Sequence, residues 1–285
     1  MQRAIYNLSV TTVGELGEFP LIERIATAIK RASLAVPTAG GFRLELGIGD
    51  DAAAWSLARG VQVNTTDTAI EGVHFTSQTM PWADLGWRVW AANVSDIISM
   101  GATPLVGLVT LGLPRSLDVT AIDDLYAGMI EACREYGTLI AGGDIVSSRD
   151  TFVTVALMGV SEGNLLRRDV ARLGDVVGVS GPLGASEGGL RMLQRGLAFN
   201  DALLIAHRHP IPRVAIGKAL LDAGVTGAMD ISDGLVADLG KLCRASGVGA
   251  TVDAISVPVA AALQDLFSTE EALLCALGGG EDYEV

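Results

Sequence analysis

The stretch PWADLGWRVWAANVSDIISMGATPLVGLVTLGL, residues 81–113, predicts a helix that leads directly into a buried strand. Apolar side chains recur at helical spacing over residues 81–100, and Pro81 suits the first turn of a helix. The residues GATP at 101–104 end the helical pattern, and residues 105–113 then form an apolar run of strand length. This order of elements is typical of a sheet with helices packed against it.

Helix and strand patterns alternate on both sides of that stretch. Strands are predicted at 61–67, 151–160, 175–181 and 250–254, and helices at 119–136, 185–196, 199–208, 212–223 and 235–246. The polar segment 161–175 interrupts the alternation and divides the chain into lobes at 1–160 and 161–285. We therefore expect an α+β or α/β fold of two lobes, each a mixed sheet with helices packed on it.

The composition disfavours several classes of protein. Hydrophobic residues make up 49% of the 285, which is ample for a core, and the net charge of −13 disfavours nucleic acid and anionic membranes as partners. The longest apolar stretch, residues 104–114, is too short to span a bilayer. The three cysteines lie far apart in the sequence, which disfavours disulfides and zinc, and the first residues do not resemble a signal peptide. We expect a soluble, cytoplasmic protein.

The strongest functional signal is a set of loops that combine glycine with aspartate. These are GIGDD (47–51), AGGD (141–144), MDISDG (229–234) and GGGED (278–282), and the predicted strand at 61–67 also ends in an aspartate. Any one of them alone would be an ordinary turn. Together they offer Asp51, Asp67, Asp144, Asp230 and Asp233 as hard oxygen ligands, which suit Mg²⁺ shared with substrate phosphates. Asp96 adds a carboxylate within an otherwise amphipathic helix, where it could instead belong to an exposed face.

Other phosphate and metal motifs do not fit the sequence. No P-loop or EF-hand pattern is present. Residues 47–52 match a dinucleotide fingerprint, but Asp50 and Asp51 would repel the pyrophosphate, and 51–67 is better interpreted as a hairpin than as a helix. The histidines of the HRHP segment, residues 207–210, have no partner cluster in the sequence and are expected in a solvated loop.

Six motifs in this order resemble those of the thiamine-monophosphate kinases, of the aminoimidazole-ribonucleotide synthetase-like superfamily. They are GIGDDAA, NTTDTAIEGVHF, AANVSDIISMGATP, AGGD, DISDGLVADL and GGGEDYE, and the similarity runs from about Gly14 to Val285. The resemblance implies two α/β lobes, a homodimer formed through the N-terminal lobe, and an ATP site between the lobes. The implied reaction is Mg²⁺-dependent transfer of the γ-phosphoryl group of ATP to thiamine monophosphate, which gives thiamine diphosphate and ADP by direct in-line transfer.

The resemblance also implies a role for individual residues. Ligands of two or more Mg²⁺ ions would be Asp51, Thr66, Asp67, Asp96, Asp144, Asp230 and Asp233. ATP contacts would be Tyr136, Gly143, Asp144, Arg168 and Ser232, and substrate contacts would be His74 and Glu281. From composition alone, Tyr136 would be a core-edge aromatic residue, Arg168 a solvated charge, and Ser232 the N-cap of a helix at 233–246.

Family members continue beyond the GGGEDYE motif, whereas this sequence stops at Val285. The family's further residues would complete the sheet of the second lobe and supply an aromatic side chain that stacks on the thiamine rings. We therefore expect an unpaired strand edge in the second lobe. Two alternatives to the kinase stay open at this point: a truncated nucleotide- and metal-binding module without kinase activity, and a related ATP-dependent synthetase of the superfamily.

Overall fold

The computed structural model describes residues 11–285, so the expectation about the first residues of the chain lies outside it. The helices are α1 (Val13–Leu16), α2 (Glu18–Ala32), α3 (Trp82–Ser99), α4 (Val119–Tyr136), α5 (Ala185–Arg195), α6 (Asp201–Arg208), α7 (Val214–Asp222), α8 (Leu235–Ser246) and α9 (Thr269–Gly278). The strands are β1 (Arg43–Leu46), β2 (Ala54–Ser56), β3 (Val61–Ile70), β4 (Thr103–Leu113), β5 (Leu139–Ser147) and β6 (Phe152–Ser161).

The first lobe is built on a four-stranded mixed sheet with the strand order β3-β6-β4-β5. Strand β6 is antiparallel to both of its neighbours, whereas β4 and β5 are parallel. Helix α4 supplies the crossover between β4 and β5, as a parallel pair requires. Strand β3 therefore forms one edge of the sheet and β5 the other.

Helices α3 and α4 cover one face of this sheet and form most of the core. Trp90, Ile97, Leu125 and Met129 are completely buried there. The two helices cross at glycines, because a Cβ atom on Gly86 would lie 1.9 Å from the carbonyl oxygen of Leu125. A Cβ atom on Gly128 would lie 1.8 Å from that of Ala83 on α3. This close backbone contact fixes α3 against α4.

A two-stranded β1–β2 hairpin packs over part of the opposite face of the sheet. Phe42, with Trp55 and Leu57 of the hairpin region, contacts Met158 and Val160 of β6 there. The hairpin predicted over 51–67 is wrong: β2 pairs with β1, and β3 pairs instead with β6 along its whole length. The apolar face of β3 finds a longer partner in β6 than the three-residue β2 could supply.

The second lobe is made of α5 to α9 and extended segments, and residues 161–285, all of which the structure describes, contain no strand after Ser161. The strands predicted at 175–181 and 250–254 are therefore wrong for this structure. The side chain of Val176 is 94% exposed, and no strand ladder forms along 175–181. A β-type sequence forms a strand only when a second backbone pairs with it.

Two small apolar clusters form the core of the second lobe. One surrounds Leu203 and Leu263, and the other surrounds Leu183 and Ile231. The final residues thread past the second cluster: the Tyr283 N–H donates to the Ile231 carbonyl, and the Ser180 N–H donates to the Val285 carbonyl. Across residues 11–285, no helix has the length and apolar character needed to cross a membrane.

Candidate active site

A cleft between the two lobes collects most of the acidic motifs. Residues of both lobes line it: Asp67, Thr68, Ala69, His74, Phe75, Leu85, Arg88, Val89, Ala92, Asp96, Asp230, Ser232, Asp233, Glu281 and Tyr283. Seven of the residues predicted from the motifs are among them: Asp67, His74, Asp96, Asp230, Ser232, Asp233 and Glu281. The structure therefore brings these residues from both lobes to one cleft.

Helix α3 lines the cleft along its length. Arg88, Ala92 and Asp96 follow one another at four-residue spacing, so they lie on one face of the helix. Arg88 and Asp96 are eight residues apart, which corresponds to roughly 12 Å along the helix axis. The cleft therefore has an acidic end near Asp96 and a second end near the start of α3, where Phe75 packs edge-on against Trp82 with ring centroids 6.2 Å apart.

The acidic end joins carboxylates from three elements. The Thr65 hydroxyl of β3 donates a 2.5 Å hydrogen bond to Asp96, whose carboxyl group also contacts that of Asp67. The Ser95 hydroxyl donates a 2.7 Å hydrogen bond to the Asp230 carboxylate of the second lobe. Strand β3 and helix α3 thus place their acids against the loop that contains Asp230.

Burial and mutual repulsion disfavour the ionised form of these carboxyl groups. Burial, together with the charges of Asp230 and Asp67, raises the pKa of Asp96 to about 7. Burial also raises the pKa of Asp67 and of Asp230, against the opposing effect of their hydrogen bonds. A cation at this end would relieve the repulsion, which is the electrostatic property expected of a metal or metal–phosphate site.

The DISDG loop is held by a carboxylate that the motif reasoning did not select. Asp238 of α8 is buried, and its carboxylate accepts hydrogen bonds of 2.9 and 2.8 Å from the backbone N–H groups of Ser232 and Asp233. Lys241 contacts the carboxylates of both Asp233 and Asp238. Ser232 is not the N-cap of a helix at 233–246, because α8 begins at Leu235 and its N-cap is Gly234.

The second end of the cleft contains a buried arginine. The side chain of Arg88 is 9% exposed and contacts the Glu281 carboxylate. Its Nη1 donates to the His207 carbonyl oxygen at 2.8 Å and lies 3.1 Å from the His207 Nδ1. The HRHP segment is therefore not the solvated loop that was expected: His207 is buried, and burial lowers the pKa of its imidazole to about 3. The neutral ring can accept a hydrogen bond from Arg88.

Three predicted residues lie together at the opposite edge of the sheet. Asp67, Val155, Val109 and Gly143 are register neighbours across the four strands, so Asp67 and Gly143 are separated by three strand spacings, about 14 Å. Asp144 follows Gly143 and is exposed. The loop containing Asp51 runs beside the same strand, because Ala53 lies against Gly142. One chain thus has two separate acidic groups.

Three further predicted residues lie outside the cleft. The Thr66 hydroxyl donates to the Val155 carbonyl of β6 at 3.1 Å. Tyr136 is buried at the end of α4, where its ring packs 5.7 Å from that of Trp87, and its hydroxyl has no hydrogen-bond partner in the structure. Arg168 is exposed in the segment after β6. Their proposed roles toward metal or ATP stay predictions.

Arg88, His207, Asp238 and Lys241 are the site residues that the motif reasoning missed. A signal for Arg88 was present, since it is a charge two turns before Asp96 on the cleft face of an otherwise apolar helix. Asp238 follows Asp233 within DISDGLVADL, but its role depends on how the loop folds back. No local pattern connects Arg88 with His207, which is 119 residues away.

The donor set of the acidic end is compatible with Mg²⁺. Within residues 11–285, no three His, Cys, Asp or Glu side chains converge closely enough to hold a metal by themselves. Mg²⁺ does not require such a cage, because it is commonly bound by one or two carboxylates together with substrate phosphates and water. The paired carboxyl groups of Asp67 and Asp96, with Asp230 nearby, supply oxygen ligands of this kind.

Comparison with known proteins gives consistent results for both lobes. Residues 49–161 match the AIR synthase related protein N-terminal domain, and residues 172–281 match its C-terminal domain. The chain is 35% identical to the thiamine-monophosphate kinase of Aquifex aeolicus, over 95% of this chain and 85% of that protein.

Two solved structures resemble the fold closely. The thiamine-monophosphate kinase of Stenotrophomonas maltophilia K279a superposes with a TM-score of 0.79 at 38% identity, over 94% of this chain and 84% of that chain. The structure of AaThiL complexed with AMPPCP and TMP superposes with a TM-score of 0.74 at 34% identity, over 95% and 84% of the two chains. The expected two-lobe fold is confirmed by these similarities.

Proposed function

This chain belongs to the thiamine-monophosphate kinase family, and we propose that ATP phosphorylates thiamine monophosphate in its interlobe cleft to give thiamine diphosphate and ADP. The observation that carries this proposal is the meeting of Asp67 and Asp96 of one lobe with Asp230 and Asp233 of the other in a single cleft. A relative of the same fold binds AMPPCP together with TMP, which supports a site for two phosphorylated ligands.

The chemistry of this transfer needs positioning more than proton removal. A phosphate monoester has a second pKa near 6, so the attacking oxygen is already largely ionised at pH 7. Catalysis then consists of holding donor and acceptor in line and neutralising the charge of the transferred group. Residues of both lobes form the walls of the cleft, and closure of those walls would exclude water.

We assign the acidic end to Mg²⁺, with Asp67, Asp96, Asp230 and Asp233 as the residues that would hold it. The metal would supply positive charge to the phosphate oxygens during transfer. Thr65 and Ser95 orient the carboxylates of Asp96 and Asp230, and Lys241 neutralises Asp233. Asp238 fixes the loop between them through two backbone N–H groups.

The second acidic group, near β5, suggests a role for a second copy of the chain. Gly143, which precedes Asp144, lies about 14 Å from Asp67 across the sheet, and the loop containing Asp51 runs beside the same strand as Gly143, so this group is too far from Asp67 to contact the same ion in one chain. The sheet face opposite α3 is partly uncovered, with Thr68 and Thr154 hydrogen bonded at 2.8 Å on its surface. We propose that pairing of two N-terminal lobes over this face completes the site. The cytoplasmic location stays a prediction.

Turnover on thiamine monophosphate tests this function directly. With ATP and Mg²⁺, ³¹P NMR should show thiamine diphosphate and ADP in equal amounts, and removal of Mg²⁺ with EDTA should abolish both. Asp233→Asn should remove turnover in a folded protein. Its control is Asp222→Asn, since that aspartate is equally exposed at 65% against 64% and also pairs with a lysine, but lies outside the cleft. Binding of Mg·ATP without product would refute the kinase assignment.

A further inference from the structure

Asp233 at the acidic end of the cleft already has a cation beside it. The Lys241 ammonium group contacts the carboxylates of both Asp233 and Asp238, and its Nζ lies 2.7 Å from Oδ1 of Asp238. Within residues 11–285, none of the other three aspartates assigned to Mg²⁺ forms an ion pair with a lysine, arginine or histidine. The carboxylate of Asp233 is therefore available both to a lysine of the chain and to the expected metal.

The two partners of Lys241 differ in how firmly they hold it. Asp238 is 1% exposed, and its Oδ2 also accepts hydrogen bonds from the backbone N–H groups of Ser232 and Asp233. The Asp233 side chain is 64% exposed. Separating a buried carboxylate from its cation is strongly unfavourable, whereas an exposed ion pair contributes little to stability. If Lys241 gives up one partner, that partner is Asp233.

A divalent cation in the cleft competes with Lys241 for Asp233. Burial and the Asp233 charge both raise the pKa of Asp67, so these two carboxylates are near each other across the cleft. Lys241 is attached to α8 and pairs with one of the four aspartates, whereas Mg²⁺ carries two charges and takes several oxygen ligands. Because two cations beside one carboxylate repel each other, the lysine and the metal each disfavour the other at Asp233.

We propose that Lys241 is a resident counter-ion of Asp233 and moves to Asp238 alone when Mg²⁺ binds, an inference that rests on the metal site of the proposed function. In the empty cleft the ammonium group offsets part of the negative charge of the acidic end. After the exchange it keeps its 2.7 Å contact with Asp238, so the DISDG loop stays anchored. Lys241 is thus a positioning residue, and it lowers the affinity of the site for the free metal ion.

The first test observes Lys241 directly, because the chain contains only three lysines, Lys30, Lys218 and Lys241. Protein labelled with ¹⁵N-lysine gives one side-chain NMR signal for each of them, and Lys241→Arg identifies the signal of Lys241. Addition of MgCl₂ to the wild-type protein should move this signal saturably toward its position in metal-free Asp233→Asn. Lys218 is an internal control, since it pairs with the exposed Asp222 and its signal should not move.

The second test measures the affinity for Mn²⁺, used as the probe for Mg²⁺ and counted as free ion by electron paramagnetic resonance. Lys241→Met should bind Mn²⁺ at least about tenfold more tightly than the wild type, because a competing charge is gone. In an Asp233→Asn background the same change should alter the affinity by about twofold or less, because no exchange takes place there. Lys218→Met is the matched control and should bind Mn²⁺ as the wild type does, since Asp222 does not line the cleft.

The outcomes keep this inference apart from the proposed function. A Lys241 signal that stays in place while Mn²⁺ binds, or a gain in affinity that persists in Asp233→Asn, refutes the exchange and leaves the kinase intact. Weaker Mn²⁺ binding by Lys241→Met also refutes it and shows that the lysine orients Asp233 for the metal.

Two further outcomes concern the kinase and the folding of the variant. The expected exchange in a protein without turnover on thiamine monophosphate supports the inference and refutes the kinase, whereas no binding of Mn²⁺ by the wild type refutes the metal site and the inference together. If circular dichroism shows that Lys241→Met is unfolded, the NMR titration of the wild-type protein decides the question alone.

Discussion

The Ser95 hydroxyl donates a 2.7 Å hydrogen bond to the Asp230 carboxylate, and this bond joins helix α3 to a loop 135 residues further along the chain. Asp230 is buried, burial raises its pKa, and the Ser95 hydrogen bond opposes that rise. The bond therefore helps to keep the carboxylate ionised at the point where the lobes meet.

Replacing Ser95 with alanine should impair turnover more than stability. Loss of the hydroxyl removes a donor to the buried Asp230 carboxylate. The ionised form of Asp230 is then destabilised by about 1–3 kcal/mol, which favours the protonated acid. We expect the Mg²⁺ concentration for half-maximal turnover to rise severalfold in a metal titration. The control is Ser99→Ala, one turn along the same helix, because its hydroxyl bonds only to the Asp96 carbonyl of α3. Identical titrations for both variants would contradict this role.

Asp238 should be a stabilising residue of the DISDG loop. Asp238→Ala would leave the N–H groups of Ser232 and Asp233 without their partner and Lys241 with one carboxylate fewer. Urea unfolding should show a loss of about 1–3 kcal/mol in the free energy of unfolding, and isothermal titration should show weaker Mg·ATP binding. Asp253→Ala is the comparison, since Asp253 bonds one exposed backbone N–H, and its loss should cost less. Equal losses would argue against a special role for Asp238.

His207 should make the protein acid-sensitive. Burial and the charges of Arg88 and Arg208 lower the pKa of its imidazole to about 3, so protonation favours the unfolded chain, where the pKa is near 6.5. The stability that His207 contributes is complete above pH 6.5 and is lost as the pH falls toward 3, by up to about 1.4 kcal/mol per pH unit. Chemical unfolding from pH 8 to pH 4 should therefore give a steeper decline for the wild type than for His207→Asn. Equal declines in stability with falling pH for the two proteins would contradict the lowered pKa of His207.

The glycine crossing of α3 and α4 should not tolerate a side chain. Gly86→Ala places a methyl group where the Leu125 carbonyl oxygen already lies, so the helices must separate. We expect a loss of at least about 1–3 kcal/mol in the free energy of unfolding. Gly163→Ala provides the control, because nothing lies within 4 Å of the added atom. A Gly86→Ala protein as stable as this control would show that the crossing can relax.

Local patterns predicted the first lobe better than the second. The apolar periodicity of 81–100 and 105–113 fixed α3 and β4 to within two residues. The predicted strand at 175–181 is wrong because strand formation depends on a partner backbone, and Val176 has no neighbouring strand. The same dependence explains β2, which has a strand-like sequence but pairs with β1.

The sequence also indicated the acids of the cleft better than their surroundings. Asp67, Asp96, Asp230 and Asp233 could be selected because an aspartate at the end of a strand pattern, one in an amphipathic helix and two in a glycine-containing loop are locally conspicuous. Arg88 carries a weaker signal, as a charge two turns before Asp96 on the same helix, and His207 carries none. Only the packing of α6 against α3 brings the guanidinium to the imidazole.

Helix α3 contacts the second lobe at both ends, through Asp84, Trp87 and Arg88 near its beginning and through Ser95 near its end. The glycine crossing fixes the first turns of this helix against α4 of the first lobe. A hinge motion that parts the lobes must therefore break the contacts at both ends in the same movement. Reactants would then enter, and products would leave, by a single coordinated opening of the cleft instead of by independent opening of its two ends.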